Sequence, residues 1–338
     1  MKIAIVYNID KSNVIHKFGM QNKEMYFRDE IDTALAALRT CHEEVIAFEG
    51  DKDIIAKLDA FLSPGDKNET PQGVVFNLAY GIQGNSRYTH VPAILEMMGV
   101  PYTGSGPLAH SIALDKEMTK IVLAQAGLPT AKFVVVQHAK EDYKKRIEAL
   151  NFPLIVKPKD EAGSFGICSA NDFNELETAI DKTFEEYQQA ILVEEYLEGR
   201  EFNVAVMGNG ESIETLEPLE VVLGDKHLFQ TYAGKKSDSY PHICPADIPK
   251  SLSDELQCLA IQAFNCIKCA DYARIDYRLD KHNKPHILEL NSMAAIHSKG
   301  SFFIAAQQSG YTYPQMINHM VDVALKRYAL KVPVQGSK

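Results

Sequence analysis

The stretch that most constrains this chain runs from Ala273 to Asn291, ARIDYRLDKHNKPHILELN, which alternates with the period of a strand on both sides of one polar turn. In its first half Ile275, Tyr277 and Leu279 share one face, and Arg274, Asp276 and Arg278 share the other. In its second half Leu288 and Leu290 face away from Glu289 and Asn291. A turn centred on His282-Asn283 sets Asp276 opposite Glu289 and Arg274 opposite Asn291 in antiparallel register. Two carboxylates facing each other across a strand pair destabilise a sheet. The pattern therefore fits either a solvated outer face or a bound divalent cation, and the hairpin alone leaves both open.

At 338 residues the chain exceeds one average domain and is expected to form two or three. A net charge of -10 argues against a basic nucleic-acid surface, though not against a local nucleotide site. No apolar run approaches membrane-spanning length. MKIAIVYN is a short apolar strand leading into polar residues, not a signal peptide, so a cytoplasmic protein is expected. The scattered cysteines fit reduced thiols. The lone pair Cys266 and Cys269 has no second ligand pair and reads as buried small hydrophobes.

In chain order, Lys2 to Tyr7 is a strand buried on both faces, Phe27 to Thr40 a helix, Val45 to Phe48 a strand, Ile54 to Leu62 a helix and Gly73 to Asn77 a third strand. The glycine-bearing loop AYGIQGNSRYTH follows that strand, where open α/β sheets place ligands. Leu108 to Ala126 reads as one long helix closed by Gly127, with Lys116 in its middle as a surface lysine. Phe133 to Val136 and Leu154 to Lys157 are strands, with a helix over Glu141 to Leu150 between them.

The loop Asp160 to Gly166 holds Gly163, Ser164 and Gly166 beside Lys157; such a loop suits phosphate contacts or a plain hairpin tip. It is not a Walker loop, since no GKS or GKT follows and the next element is a strand. Asp172 to Gln188 is a helix. Glu194, Glu195 and Glu201 then flank a strand-to-strand crossover, where carboxylates accept from an amino group or a ribose diol. Asp225 to Ser239 is a polar loop with Lys235 and Lys236, suited to a lid. A helix from Ser253 to Cys266 precedes the hairpin, and Gly310 to Leu330 forms the last helix.

Four stretches, in this order, resemble the ATP-grasp superfamily and within it the D-alanine:D-alanine ligase family. They are AILEMMGVPYTGSGPLAHSIALDKEMTKIVLAQAGLP, FPLIVKPKDEAGSFGI, ILVEEYLEGREFNVAV and ADYARIDYRLDKHNKPHILELNS. The resemblance implies an α/β fold, α+β in part, of three domains: 1–104 an N-terminal α/β domain, 105–198 a central subdomain and 199–333 a catalytic C-terminal domain, with 334–338 a tail. The nucleotide is then held between the central and C-terminal domains. It also implies ATP with two magnesium ions, or manganese in their place; amino-acid-like small-molecule substrates; no nucleic acid or membrane; and a homodimer.

By the same resemblance Lys116, Lys157, Gly163 and Ser164 contact phosphates, Glu194, Glu195 and Leu197 read adenine, and Glu201 binds ribose. Asp276, Glu289 and Asn291 hold the metal ions. Arg274 stabilises the oxyanion with Lys235 and Lys236 above it. Tyr80, Asn85, Arg87, Tyr232, Ser298 and Ser301 are the substrate candidates.

Three segments depart from the family. No glutamate matching the family's amino-group ligand is evident after the first strand. Gly84-Asn85-Ser86-Arg87 replaces a Gly-Glu-Asp-Gly run, and Ala295 stands where an oxyanion-hole glycine is usual. The expectation is an ATP-dependent carboxylate:amine ligase, working through an acylphosphate, with altered substrates. The alternatives are D-alanine:D-alanine ligase itself, an ATP-grasp phosphotransferase, or a nucleotide-binding protein without catalysis.

Overall fold

The computed structural model describes residues 1–17, 22–63, 71–138, 140–224, 228–230 and 240–329. The first layer is a parallel sheet of β1 (Lys2–Tyr7), β2 (Glu44–Glu49) and β3 (Gly73–Leu78) in the order β2-β1-β3. β1 and β3 are apolar along nearly their whole length because helices cover both faces, among them α1 (Arg28–Leu38) and α2 (Ile54–Leu62). α3 (His90–Met98) ends at Gly99, whose φ of 72° gives the left-handed C-cap that glycine adopts without strain.

The stretch expected as one long helix is two. α4 (Pro107–Leu114) stops at Asp115, which is extended, and α5 (Lys116–Gln125) begins there. The Asp115 carboxylate accepts from the Met118 N–H at 3.0 Å, so a side chain that competes for the backbone restarts the helix. Lys116 thereby becomes the first residue of a helix instead of a mid-helix surface lysine.

The central layer is an antiparallel sheet of β4 (Phe133–Val136), β5 (Leu154–Pro158), β6 (Cys168–Ala170) and β7 (Ile191–Glu195), ordered β4-β7-β5-β6. α6 is shorter than expected, Lys144–Ile147, and α7 (Phe173–Tyr187) packs Leu176 and Ile180 onto Leu154, Val156 and Val193.

The third layer is antiparallel: β8 (Glu201–Met207), β9 (Glu214–Thr215), β10 (Leu219–Val221), β11 (His242–Ile243), β12 (Tyr272–Leu279) and β13 (Pro285–Asn291), along the path β11-β10-β8-β12-β13 with β9 on β8. α8 (Lys250–Cys266) lays Leu256 and Phe264 over Phe202, Val204, Ile275 and Tyr277. α4 and α5 add Ala109 and Leu123 to this core. Cys266 and Cys269 are free thiols at its edge, and burial pushes the Cys269 thiol up to about 12.

The β12–β13 hairpin pairs Arg274 with Asn291 and Asp276 with Glu289, the register read from the alternation. It arrives there by another route. Asn283 takes a φ of 58° in a turn closed by Asp280 and Lys284, and a bulge between Asp276 and Tyr277 shifts the ladder back by one. The extra residue is Leu288. It leaves the apolar face shared by Ile287 and Leu290 and turns toward the polar side.

Two helices close the chain. α9 (Ser301–Gln308) was not evident in the sequence, being short, started by Gly300 without a side-chain cap and rich in aromatic residues, yet it buries Phe302, Ala305 and Ala306. α10 (Tyr313–Ala329) returns to the first layer, where Met316, Ile317, Met320 and Val321 join the core that holds Ile31 and Leu38. The Asn318 amide donates to the Ala37 carbonyl at 3.0 Å and satisfies the end of α1. Core membership thus crosses the chain-order divisions at 104 and 198. Among the described residues no helix is long and apolar enough to cross a membrane.

Candidate active site

A cleft of about 80 Å³ opens between the central and third sheets, lined by Ile155, Lys157, Ser164, Glu194 to Leu197, Glu201, Asp276, Arg278, Leu288 and Glu289. Strand period two explains the central wall. Ile155 pairs with Glu194 on β7, and Lys157 lies two residues along the same face. The opposite wall is the charged face of the hairpin, so the even choice that the alternation left open resolves against a solvated surface: Asp276 is 5% exposed.

Glu194 accepts from Lys157 and forms an ion pair with Lys120 at 2.7 Å, the Lys120 side chain being only 1% exposed. Burial pushes the Glu194 carboxyl up, but Lys120 and Lys157 outweigh it and hold the group at about 2. Glu194 is therefore a carboxylate shared by two ammonium groups, which leaves that trio with one positive charge over. Lys120 was not among the sequence candidates. The available signal was its place four residues after Lys116, one helical turn along the same face.

Lys116 is buried, and its ammonium donates to the Glu161 carbonyl. Burial lowers its basicity, and the like charge of Lys157 adds to that effect. In the glycine-serine loop Gly163 and Gly166 both have a φ of 69° and Ser164 a φ of 63°. A left-handed serine costs on the order of 1 kcal/mol, and here it sets Ser164 at the cleft. A Cβ on Gly166 would lie 2.7 Å from both Pro158 and Tyr187, so only glycine closes this loop onto β5.

Glu201 faces Arg278 at 3.7 Å and accepts from Gln230. Arg278 in turn donates to the Tyr196 hydroxyl at 2.8 Å and lies over its ring. Arg274 grips Asp276 with two bonds of 2.7 Å. Asp276 also accepts from Asn203 at 2.8 Å and from Asn291 at 3.1 Å. Asp276, Glu289 and Asn291 are thus one cluster, with Arg274 bound to its edge.

Beyond Arg274 lies a second cavity of about 180 Å³, to which Ala295, His297, Lys299 and Ser301 contribute. The Ser301 hydroxyl is 3.4 Å from Arg274, while Ser298 is exposed and does not line this cavity. Tyr80 is buried and stacked on Tyr26 with ring centres 5.3 Å apart. Asn85 is exposed and turned to an outer groove with Lys159 and Gln188, away from the cleft.

Arg87 is buried, donating to the Asp160 carbonyl at 2.9 Å and standing 3.4 Å from both Glu24 and Glu161. Glu24 was missed. It lies in the irregular segment before α1, where no spacing signal exists, yet it accepts from the Tyr88 hydroxyl at 2.7 Å beside the same site. Burial raises its carboxyl above the usual range against the pull of Arg87. Tyr232, Lys235 and Lys236 lie outside the described residues.

The family model for the D-Ala D-Ala ligase C-terminus matches residues 122–322. An uncharacterized protein, y4sG, from Sinorhizobium fredii is 39% identical over 335 residues, 97% of this chain and 98% of that one. A D-alanine–D-alanine ligase from Bordetella petrii is 34% identical over 232 residues, 68% of this chain and 70% of its own. The solved structure of D-alanine–D-alanine ligase from Bacillus anthracis complexed with ATP superposes with a TM-score of 0.77 at 18% identity, covering 98% of this chain and 99% of that one. The fold is the ATP-grasp fold of that structure, and the chain belongs to the D-alanine–D-alanine ligase family.

Proposed function

We propose that this ATP-dependent ligase joins a carboxylate to an amine, both amino-acid-like, and that the cleft between the central and third sheets receives the nucleotide. The observation that carries the reading is the arrangement of opposite walls. Lys157, Glu194 and the Ser164 loop face Asp276 and Glu289 across one cleft, so a lysine-lined phosphate cradle meets a pair of acids.

Each side chain has a task suited to its chemistry. Ile155 and Leu288 offer apolar faces to a base, and Glu201 accepts from a ribose diol. Lys116, Lys157 and the Gly163-Ser164 backbone offset phosphate charge. Asp276, Glu289 and Asn291 fit magnesium, which takes one or two carboxylates together with phosphate oxygens; this suits a cluster with no third acid or histidine among the described residues. Magnesium would neutralise charge on the transferring phosphoryl group. Arg274, fixed by its two bonds to Asp276, is placed to stabilise an oxyanion on the substrate. Glu24 supplies the acid for an amino group that the sequence did not reveal.

Phosphorylation gives the substrate carboxylate a leaving group that hydroxide is not, and the amine then displaces phosphate to form the amide. Residence in the cytoplasm and a homodimeric assembly belong to the same proposal and rest on family resemblance.

The test is incubation with ATP, magnesium and amino acids singly and in pairs, D-alanine included, following ADP, phosphate and product mass. ADP and phosphate are expected only with a permitted pair, together with a product lighter than the two substrates by one water. A phosphorylated product without phosphate release would identify a kinase instead. Glu289→Ala is expected to lower turnover by at least roughly a hundredfold. Full activity in that variant sinks the metal assignment.

A further inference from the structure

The cavity beyond Arg274 holds more cationic and hydrogen-bonding capacity than the amine-side substrate of a simple ligase uses. Arg274 is already neutralised by Asp276 through both carboxylate oxygens, at 2.7 Å each. Its remaining edge points to the Ser301 hydroxyl, 3.4 Å away. Ser301 opens α9, and Gly300 before it offers no side-chain cap; the first helical bond is from the Ile304 N–H to the Gly300 carbonyl, at 3.0 Å. Ser301 and the start of α9 together therefore make a place for one carboxylate, the α-carboxylate of an incoming amino acid.

Beside them stand His242, His297 and Lys299. All three line the same cavity, and none of the described residues lining it is an aspartate or glutamate. His297 is held in place. A Cβ on Gly300 would lie 3.3 Å from both its Cε1 and Nε2, so the ring packs against the glycine, and the Gly300 N–H closes the turn onto the His297 carbonyl at 3.0 Å. Behind the ring, Glu30 stands 3.8 Å from Nδ1.

We propose that the amine-side substrate is a dicarboxylic amino acid whose second carboxylate is received by His297, Lys299 and His242. The inference rests on the ligase reading above and extends it to one substrate class. An alanine methyl makes no use of these groups. A pocket built to hydrogen-bond a substrate group discriminates against analogues that lack it, because its own polar groups then stay unmatched.

The experiment offers the full-length enzyme D- and L-aspartate and D- and L-glutamate against asparagine, glutamine and alanine as the amine. ATP, magnesium and a productive carboxylate partner are present throughout, and ADP release and ligated mass are read together. The acids are expected to exceed their amides in kcat/KM by about tenfold or more, the worth of a partly exposed charge pair with added hydrogen bonds. In Lys299→Ala and in His297→Gln that acid-to-amide ratio is expected to fall by about tenfold, with thermal melting confirming that each variant folds. Ligation in which amides or alanine match the acids overturns this inference and leaves the ligase reading standing. An absence of ligated product with every pair overturns the ligase reading, and this inference with it. An unchanged ratio in both variants removes these side chains from the selection.

Discussion

At the scale of single residues the site is a set of unequal charge counts. Two lysines meet one carboxylate at Glu194, and that carboxylate is nearly buried. Glu194→Ala strands two ammonium groups, and the expected loss is about 3–5 kcal/mol of stability, read by urea denaturation. Lys120→Met keeps the pair with Lys157 and is expected to cost distinctly less. Equal losses in the two variants would show that the second lysine is not compensated by Glu194. Lys157 and Glu194 were legible because each ends an apolar strand, where a charge is conspicuous. Lys120 was not, and Lys116 only through the family resemblance, since its spacing alone read as a surface lysine. On a helix a lysine is usually exposed, and only the tertiary setting of α5, which brings Lys120 to Glu194 and Lys116 to the Glu161 carbonyl, buries these two.

At the scale of elements, the hairpin shows how a correct register can come from a mistaken turn. The sequence alternation fixes which charges oppose, but it holds no mark of the bulge, so Leu288 was assigned to the wrong face. The long helix failed for a related reason: apolar spacing runs through Asp115 unbroken, while the cap that divides α4 from α5 is a local competition for one N–H. α4 also carries His110, fully buried with Nδ1 2.8 Å from the Ser292 hydroxyl, just past Asn291. Burial pushes this imidazole from 6.5 down to about 3. The unfolded chain therefore binds the proton first, so the contribution of His110 to stability is complete above pH 6.5 and is lost as pH falls toward 3. Wild type should lose about 1.4 kcal/mol per pH unit relative to His110→Asn between those limits. Urea midpoints at neutral and mildly acidic pH measure this, and parallel curves for the two proteins would contradict it.

At the scale of the whole molecule, three remote segments meet at Asp271, which is 0% exposed. Its carboxylate accepts from the Gly104 N–H at 2.8 Å, from Asn209 at 2.8 Å and from Arg327 at 2.8 and 3.0 Å, while Arg327 also donates to the Tyr102 carbonyl at 2.8 Å. The end of the first layer, the start of β12 and the last helix are thereby joined. Asp271→Ala leaves Arg327 partly buried without its counter-ion, and a loss of about 3–5 kcal/mol is expected. Calorimetry should then show the first layer melting apart from the other two; a single unchanged transition would argue against this joint. Many of the strands and helices were legible from their periodicity, while the division into three was implied by the family resemblance. Which layer each helix joins was not, since nothing in the pattern of α10 names its partner. That choice of partner bears on synthesis. The face of α1 that carries Ile31 and Leu38 meets its covering residues only after Val321 has been made. The central and third sheets have all their strands by Asn291, so on a growing chain the oldest part of the protein is the last to be finished.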